Sequence, residues 1–215
     1  MIVPEVVVID YGMGNLLSVR RGLEHCGANV KITSDPNSIL SASRLVLPGV
    51  GAFANGMSEL CSRGLDDVVR KVVAQEVPLL GICLGMQMLL DESEEFTRTA
   101  GLGLIPGKVI PVPPQAMDGH AHKIPHIGWN ALTFSSGRDT WSETVLEDVQ
   151  PNDFVYFVHS FMASPTSPEH SLANCHYGGV PITATIMKEN IFGCQFHPEK
   201  SGQVGLKVLS RFLKI

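Results

Sequence analysis

Val77-Pro78-Leu79-Leu80-Gly81-Ile82-Cys83-Leu84-Gly85-Met86-Gln87-Met88-Leu89-Leu90 holds a short apolar run, a glycine-flanked cysteine and a second apolar run. The first run reads as a strand and the second as a helix, joined by Gly81 to Gly85. A Gly-x-Cys-x-Gly between strand and helix is the thiol counterpart of the nucleophile elbow, a sharp turn that lifts its central side chain clear of the sheet. The two glycines spare a crowded backbone its Cβ clashes. The helix N-terminus brings partial positive charge toward the sulfur, which favours thiolate, the nucleophilic form. Taken alone, the pentapeptide fits a second reading equally well: a small buried cysteine on a tight turn.

Outward from the elbow, strands and helices alternate. Val6-Val7-Val8-Ile9-Asp10 is a β-branched run with no polar interruption until Asp10, the pattern of a strand buried on both faces. Leu16, Val19, Arg20 and Leu23 recur at helical spacing up to Cys26, and Gly27 suits a helix C-cap. Asn29 to Ile32 and Leu45 to Leu47 read as further strands, the latter entering Pro48-Gly49-Val50-Gly51. Leu65 to Glu76 sets Val68, Val69, Val72 and Val73 on one side of a helix. The alternation predicts an α/β fold with a mostly parallel, doubly wound central sheet flanked by helices. In such sheets chemistry gathers at the carboxyl ends of strands, where Asp10-Tyr11-Gly12, Pro48 to Gly51 and Cys83 all fall. The second half changes character. Gly107 to Val112, Asp153 to Val158, Ile182 to Met187 and Ile191 to Phe196 are strand-like, and helix is scarce until Gly202 to Leu213. Added antiparallel strands are expected there. No linker splits the chain, so residues 1–215 are read as one domain.

Composition excludes several classes. With 17% charged residues, 44% hydrophobic ones and a net charge of -5, the chain is globular and no polyanion binder. No apolar run approaches the roughly 18 residues that span a bilayer. Met1 to Glu5 carries no basic region, so no secretory signal is expected. Cys26, Cys61, Cys83, Cys175 and Cys194 are odd in number and scattered, which suggests reduced thiols in the cytoplasm rather than a disulfide framework. His120, His122 and His126 fit no metal-site spacing, so no metal is expected. Glu92, Glu94 and Glu95 read as a solvated helix end, Asp66-Asp67 as helix N-terminal charges, and Met86 and Met88 as core. Gly12-Met13-Gly14 lacks the third glycine of a dinucleotide fingerprint.

A cysteine nucleophile needs a base, and the base needs an orienter. His197-Pro198-Glu199 follows the strand Ile191 to Phe196, which would carry His197 to its carboxyl end. Pro198 fixes φ locally, and Glu199 is placed to hold the imidazole by its other nitrogen. A lone His-Pro-Glu reads as a surface turn; beside an elbow cysteine it supplies the missing parts. Acyl chemistry also needs donors to the developing oxyanion. The Leu84 amide and the glycine-rich Pro48 to Gly51 segment are the candidates.

Together, Pro48-Gly49-Val50-Gly51, Gly81 to Gln87 and His197-Pro198-Glu199 resemble the three signatures of the class I glutamine amidotransferases. These domains hydrolyse glutamine to glutamate and pass ammonia to a synthase partner. Ile9 to Leu16, Ile124-Pro125-His126-Ile127-Gly128-Trp129-Asn130, Tyr156 to Phe161 and Phe192 to Gly202 further resemble the members that serve histidine biosynthesis. Those members work as heterodimers with a cyclase subunit, a (β/α)8 barrel, and need no cofactor. The resemblance implies that Cys83 attacks the side-chain amide of glutamine, that His197 moves the protons and that Glu199 orients His197. It implies an oxyanion hole from the Leu84 amide and an amide of Val50 or Gly51. Gln87, Glu95, Ser160 and Phe161 match substrate contacts; Asn15, Trp129, Tyr156 and Lys200 match the partner-facing surface, although Trp129 and Tyr156 could equally be core aromatics. Phe161 stands where the family often has Tyr, and Ala52 where it often has His. A glutaminase of another pathway, a thiol hydrolase of γ-glutamyl bonds and a non-catalytic scaffold on the same fold are the competing readings. Low turnover without the partner, raised once the partner binds its substrate, is expected of an ammonia-channelling pair.

Overall fold

The computed structural model describes residues 3–215; Met1 and Ile2, which open the segment read for a secretory signal, lie outside the described residues. The first half runs β1 (Glu5–Ile9), α1 (Leu16–His25), β2 (Asn29–Thr33), α2 (Pro36–Leu40), β3 (Leu45–Gly49), α3 (Phe53–Ser62), α4 (Leu65–Val73), β4 (Leu79–Cys83) and α5 (Leu84–Met88). The second half runs β5 (Glu92–Ser93), β6 (Thr99–Ala100), β7 (Gly107–Pro111), β8 (His126–Ala131), β9 (Thr133–Phe134), β10 (Phe154–His159), β11 (Phe161–Pro165), β12 (Ser171–Tyr177), β13 (Val180–Lys188), β14 (Ile191–Cys194) and α6 (Gly202–Phe212).

The main sheet has the order β2-β1-β3-β4-β14-β13-β12-β9. From β2 to β14 the neighbours are parallel, and β13, β12 and β9 extend the sheet antiparallel. β14, the last strand in sequence, thus inserts between β4 and the antiparallel extension. A four-stranded sheet, β11-β7-β5-β6, and a two-stranded ribbon, β10-β8, stand beside it.

Core packing explains the unbroken apolar strands. In β1, Val6 and Val8 enter the cluster that α1 and α6 cover, with Val19, Leu23, Val208, Leu209 and Phe212. Val7 and Ile9 enter the opposite cluster, with Ile39 of α2, Phe53, Met57 and Leu60 of α3, and Val68, Val69 and Val72 of α4. Each fully buried aliphatic side chain contributes about 1.5–3 kcal/mol, so both faces anchor the sheet. Asp66 and Asp67 stand in the first turn of α4 and both pair with Arg70. Met86 and Met88 are fully buried.

Several local expectations are corrected. Gly81 and Ile82 are still strand, so the turn falls on Cys83 alone, and the helix starts directly at Leu84. α4 stops at Val73, because Glu76 already has φ 62. Glu92, Glu94 and Glu95 form no helix end. Glu92 lies in β5 and pairs with Arg98, Glu94 pairs with Lys108, and Glu95 turns inward. His126 opens β8. α3 and β12 have no counterpart in the sequence reading.

Candidate active site

Cys83 ends β4 with φ 54 and ψ -111, a backbone conformation that only glycine enters without strain. The strain is held by close packing on both sides. A Cβ on Gly85 would overlap the Leu47 carbonyl of β3, and one on Gly81 would come within 2.8 Å of the Gly85 carbonyl and the Met86 backbone. Only glycines let α5 lie this tightly on β3 and β4. The Leu84 N–H belongs to the first turn of α5, whose donors the helix itself leaves without partners.

β14 runs parallel to β4, with Cys194 opposite Ile82, and so delivers the residues after it beside Cys83. His197 Nδ1 donates to Glu199 Oε1 at 2.8 Å, and both side chains are at most 2% exposed. Three bonds fix the segment. The His197 N–H donates to the Tyr156 carbonyl at 3.0 Å, Ser201 Oγ donates to the His197 carbonyl at 2.6 Å, and the Tyr156 N–H donates to Ser201 Oγ at 3.0 Å. His197 Nε2 is buried with no hydrogen-bond partner and faces the thiol. Burial opposes charge on this imidazole, but Cys83 and Glu199 outweigh it and raise its pKa to about 9.

A cavity of about 260 Å³ opens in front of the thiol. Cys83, His197, Val50, Gly51 and Leu84 line one part of it; Gln87, Glu95, Ser160 and Phe161 line another. Among the residues expected to act on a substrate, only Glu199 stays out, behind His197. Gly51 has φ 100, so the turn after β3 uses its freedom, and Val50 is 42% exposed at the rim. Gln87 Nε2 donates to the Phe161 carbonyl at 3.0 Å. Glu95 Oε2 accepts from the Phe53 N–H at 2.6 Å, which ties the cavity to the start of α3.

The residues expected to face a partner are more dispersed. Trp129 of β8 is 54% exposed and meets Tyr156 of β10 edge-to-face at 6.0 Å, so Trp129 is no core aromatic. Lys200 is exposed in the Pro198–Lys200 turn, next to the Ser201 that Tyr156 shares. Asn15 caps α1, accepting from the Ser18 N–H at 3.4 Å, and α1 packs on that same turn. Ile127 and Phe154 add exposed apolar surface to the ribbon.

The family model for glutamine amidotransferase class I matches residues 7–215. The chain belongs to the class I glutamine amidotransferases. Among curated relatives, this amidotransferase is 51% identical over 210 residues to "Imidazole glycerol phosphate synthase subunit HisH 1" of Legionella pneumophila (strain Lens), covering 98% of this chain and 99% of that one. It is 46% identical over 208 residues to the HisH subunit of Geobacillus thermodenitrificans (97% and 94% covered). To that of Methanosarcina barkeri it is 44% identical over 210 residues (97% of each covered). Solved structures share the fold at low identity. A glutamine amidotransferase superposes with TM-score 0.71 at 17% identity (97% and 99% covered), and PurLQS from Thermotoga maritima with TM-score 0.71 at 18% (99% of each).

Three side chains of the amidotransferase site escaped the sequence reading. His159 lines the cavity; its Nδ1 donates to the Phe161 carbonyl at 2.9 Å, and its Nε2 meets His126 Nδ1 at 2.9 Å. His126 stacks between Phe157 and Tyr177. Burial lowers both imidazoles to about 4, so the pair is neutral at pH 7. Gln195 is fully buried; its Nε2 donates to Cys83 Sγ at 3.8 Å and its Oε1 accepts from Gln87 Nε2 at 3.1 Å. Strand alternation was the available signal: Gly193, Gln195 and His197 share a face, while Phe192, Cys194 and Phe196 fill the core behind. Among the described residues no group of three or more His, Cys, Asp or Glu is arranged to hold a metal ion, and no helix is long and apolar enough to cross a membrane.

Proposed function

We propose that this chain is the glutaminase subunit of an imidazole glycerol phosphate synthase, releasing ammonia from glutamine for a cyclase partner in histidine biosynthesis. One observation carries the chemistry. A strained, glycine-flanked thiol at a strand end faces an unpartnered, buried His197 Nε2, whose other nitrogen is held by Glu199. The names of the curated relatives supply the pathway.

In this mechanism Cys83 thiolate attacks the δ-carbon of glutamine. Negative charge moves to the amide oxygen, toward the Leu84 N–H and the Val50–Gly51 backbone. Imidazolium His197 gives its proton to the departing nitrogen, and ammonia leaves with the C–N bond broken and a γ-glutamyl thioester formed. Neutral His197 then takes a proton from water, the hydroxide attacks the thioester, and the thiolate departs from glutamate. Glu199 keeps the Nδ1 proton in place, so the working nitrogen is always Nε2. No step calls for a cofactor. Gln87, Glu95, Ser160 and Phe161 hold the amino-acid end. The cyclase, a (β/α)8 barrel, docks as a heterodimer on the surface carrying Asn15, Trp129, Tyr156 and Lys200. Residues 1–215 act as one domain in the cytoplasm, where the five free cysteines stay reduced.

The test is Cys83→Ala in the reconstituted pair. Glutamine-dependent synthesis should vanish while synthesis from added ammonium persists. Glutamine still supporting the reaction would overturn the mechanism. Glutamate release measured with and without the partner and its phosphoribosyl substrate tests the pathway; no stimulation would reassign the chain to another synthase.

A further inference from the structure

We infer that Gln195 is a further catalytic residue, whose side-chain amide donates to the Cys83 sulfur and locks Gln87 to the same frame. The inference deepens the glutaminase reading and rests on it. Hydrogen-bond logic supports it independently of which way the amide is drawn. The Phe161 carbonyl can only accept, so His159 Nδ1 carries a proton. His159, being neutral, then accepts at Nε2 from His126 Nδ1. Gln87 Nε2 uses its two protons on the Phe161 carbonyl and on Gln195 Oε1. Gln195 therefore turns its Nε2 to the sulfur. The opposite orientation would set two amide NH2 groups against each other in a buried site.

The result is one continuous chain, from His126 on the ribbon through His159, the Phe161 carbonyl, Gln87 and Gln195 to Cys83. Its last donor points at the atom that must carry negative charge. A hydrogen bond to the charged form of a group favours that form. Gln195 is fully buried, so no water can replace the lost donor cheaply. Gln195 follows β14 directly and stands two residues before His197, so base and sulfur donor share one segment beside the strand that carries Cys83.

The experiment compares the full chain with its Gln195→Met and Gln195→Glu variants, each in complex with the cyclase. Alkylation of Cys83 by iodoacetamide is followed by mass spectrometry across pH. Met fills the same length and offers no donor; Glu keeps the acceptor toward Gln87 but removes the donor and adds a like charge. Both variants should raise the kinetic pKa of Cys83, by roughly one unit in Gln195→Met, which is a tenfold slower reaction at low pH, and by more in Gln195→Glu. Glutamine-dependent turnover should fall at least tenfold at neutral pH, on the order expected from that shift. Ammonium-dependent synthesis by the partner reports that the complex is intact. Alkylation profiles that overlay the wild type in either intact complex would overturn the inference, whatever happens to turnover. Wild-type Cys83 that takes no label from a glutamine-mimicking chloroketone would instead overturn the glutaminase reading.

Discussion

The backbone of Cys83 makes a prediction with an unusual sign. Alanine and glycine replacements both remove the thiol, so their difference in stability isolates the conformation at φ 54, ψ -111. At an ordinary position glycine is the weaker choice, by roughly 0.5–1 kcal/mol of unfolded-state entropy. It also forgoes a buried methyl, which contributes about 0.8 kcal/mol where the site is only 7% exposed. Against these stands the strain that Cβ suffers here, about 3 kcal/mol at the upper end for a region that L-residues avoid. Glycine should therefore win: Cys83→Gly is expected to be more stable than Cys83→Ala by about 1 kcal/mol, from the balance of those terms. For a chain of this size that is roughly 2–4 °C in Tm. Urea unfolding followed by circular dichroism measures it directly. Both variants should lack glutaminase activity, which separates the strain from the chemistry. If Cys83→Ala proves the more stable of the two, the strain is smaller than the roughly 1.3–1.8 kcal/mol that otherwise favours alanine, and the account of the glycine clamp fails.

Three further outcomes follow from the same geometry. Glu199→Gln leaves the Nδ1 proton of His197 without its carboxylate, so glutamine-dependent kcat should fall by roughly 10²–10⁴ while ammonium-dependent synthesis holds; a loss under fivefold would deny Glu199 its orienting role. His126 and His159 titrate near 4 in the fold against 6.5 outside it, so the unfolded chain takes up protons first as pH falls. Stability should decline from pH 6.5 to about 4, by about 3 kcal/mol for one such imidazole, and the slope of the urea midpoint over that window should be shallower in His126→Asn. Trp129→Ala should leave the Tm of the isolated chain within about 2 °C, since it is half exposed, yet weaken binding to the cyclase by at least tenfold if it anchors the interface; an unchanged Kd would free the ribbon of that role.

The parallel half of the sheet was legible because its strands are buried on both faces and therefore apolar without a break. The elbow was legible because strand, glycines and helix leave a local signature. What escaped the sequence lacked such a signature. β12 alternates only loosely, since the neighbours Leu172 and Ala173 are both buried and the ladder shifts register around Ala173. The start of α3 carries no side-chain cap, as its N-cap is Ala52, and its first-turn N–H is satisfied by Glu95, 42 residues away. Glu95 is no solvated helix end, because its carboxylate turns inward to the Phe53 N–H, a partner that local pattern does not reveal. His126, His159 and Gln195 are ordinary in sequence. Their meaning comes from partners 33 and 108 residues distant, and no window of local pattern spans that range.

The insertion of the last strand between β4 and the antiparallel extension also has a consequence in time. During synthesis the elbow is complete long before its base exists, since 112 residues separate Cys83 from Gln195 and His197 follows later still. At roughly 5–20 residues per second the thiol waits about 5–20 s for the segment that activates it. The slot beside β4 stays vacant for that whole interval, and His197 arrives only after β14, where α6 and Ser201 fasten it. Nascent or truncated chains therefore carry a cysteine but no hydrolase. A cell building this protein cannot leak ammonia from unfinished copies, because arming the nucleophile and closing the fold are the same event.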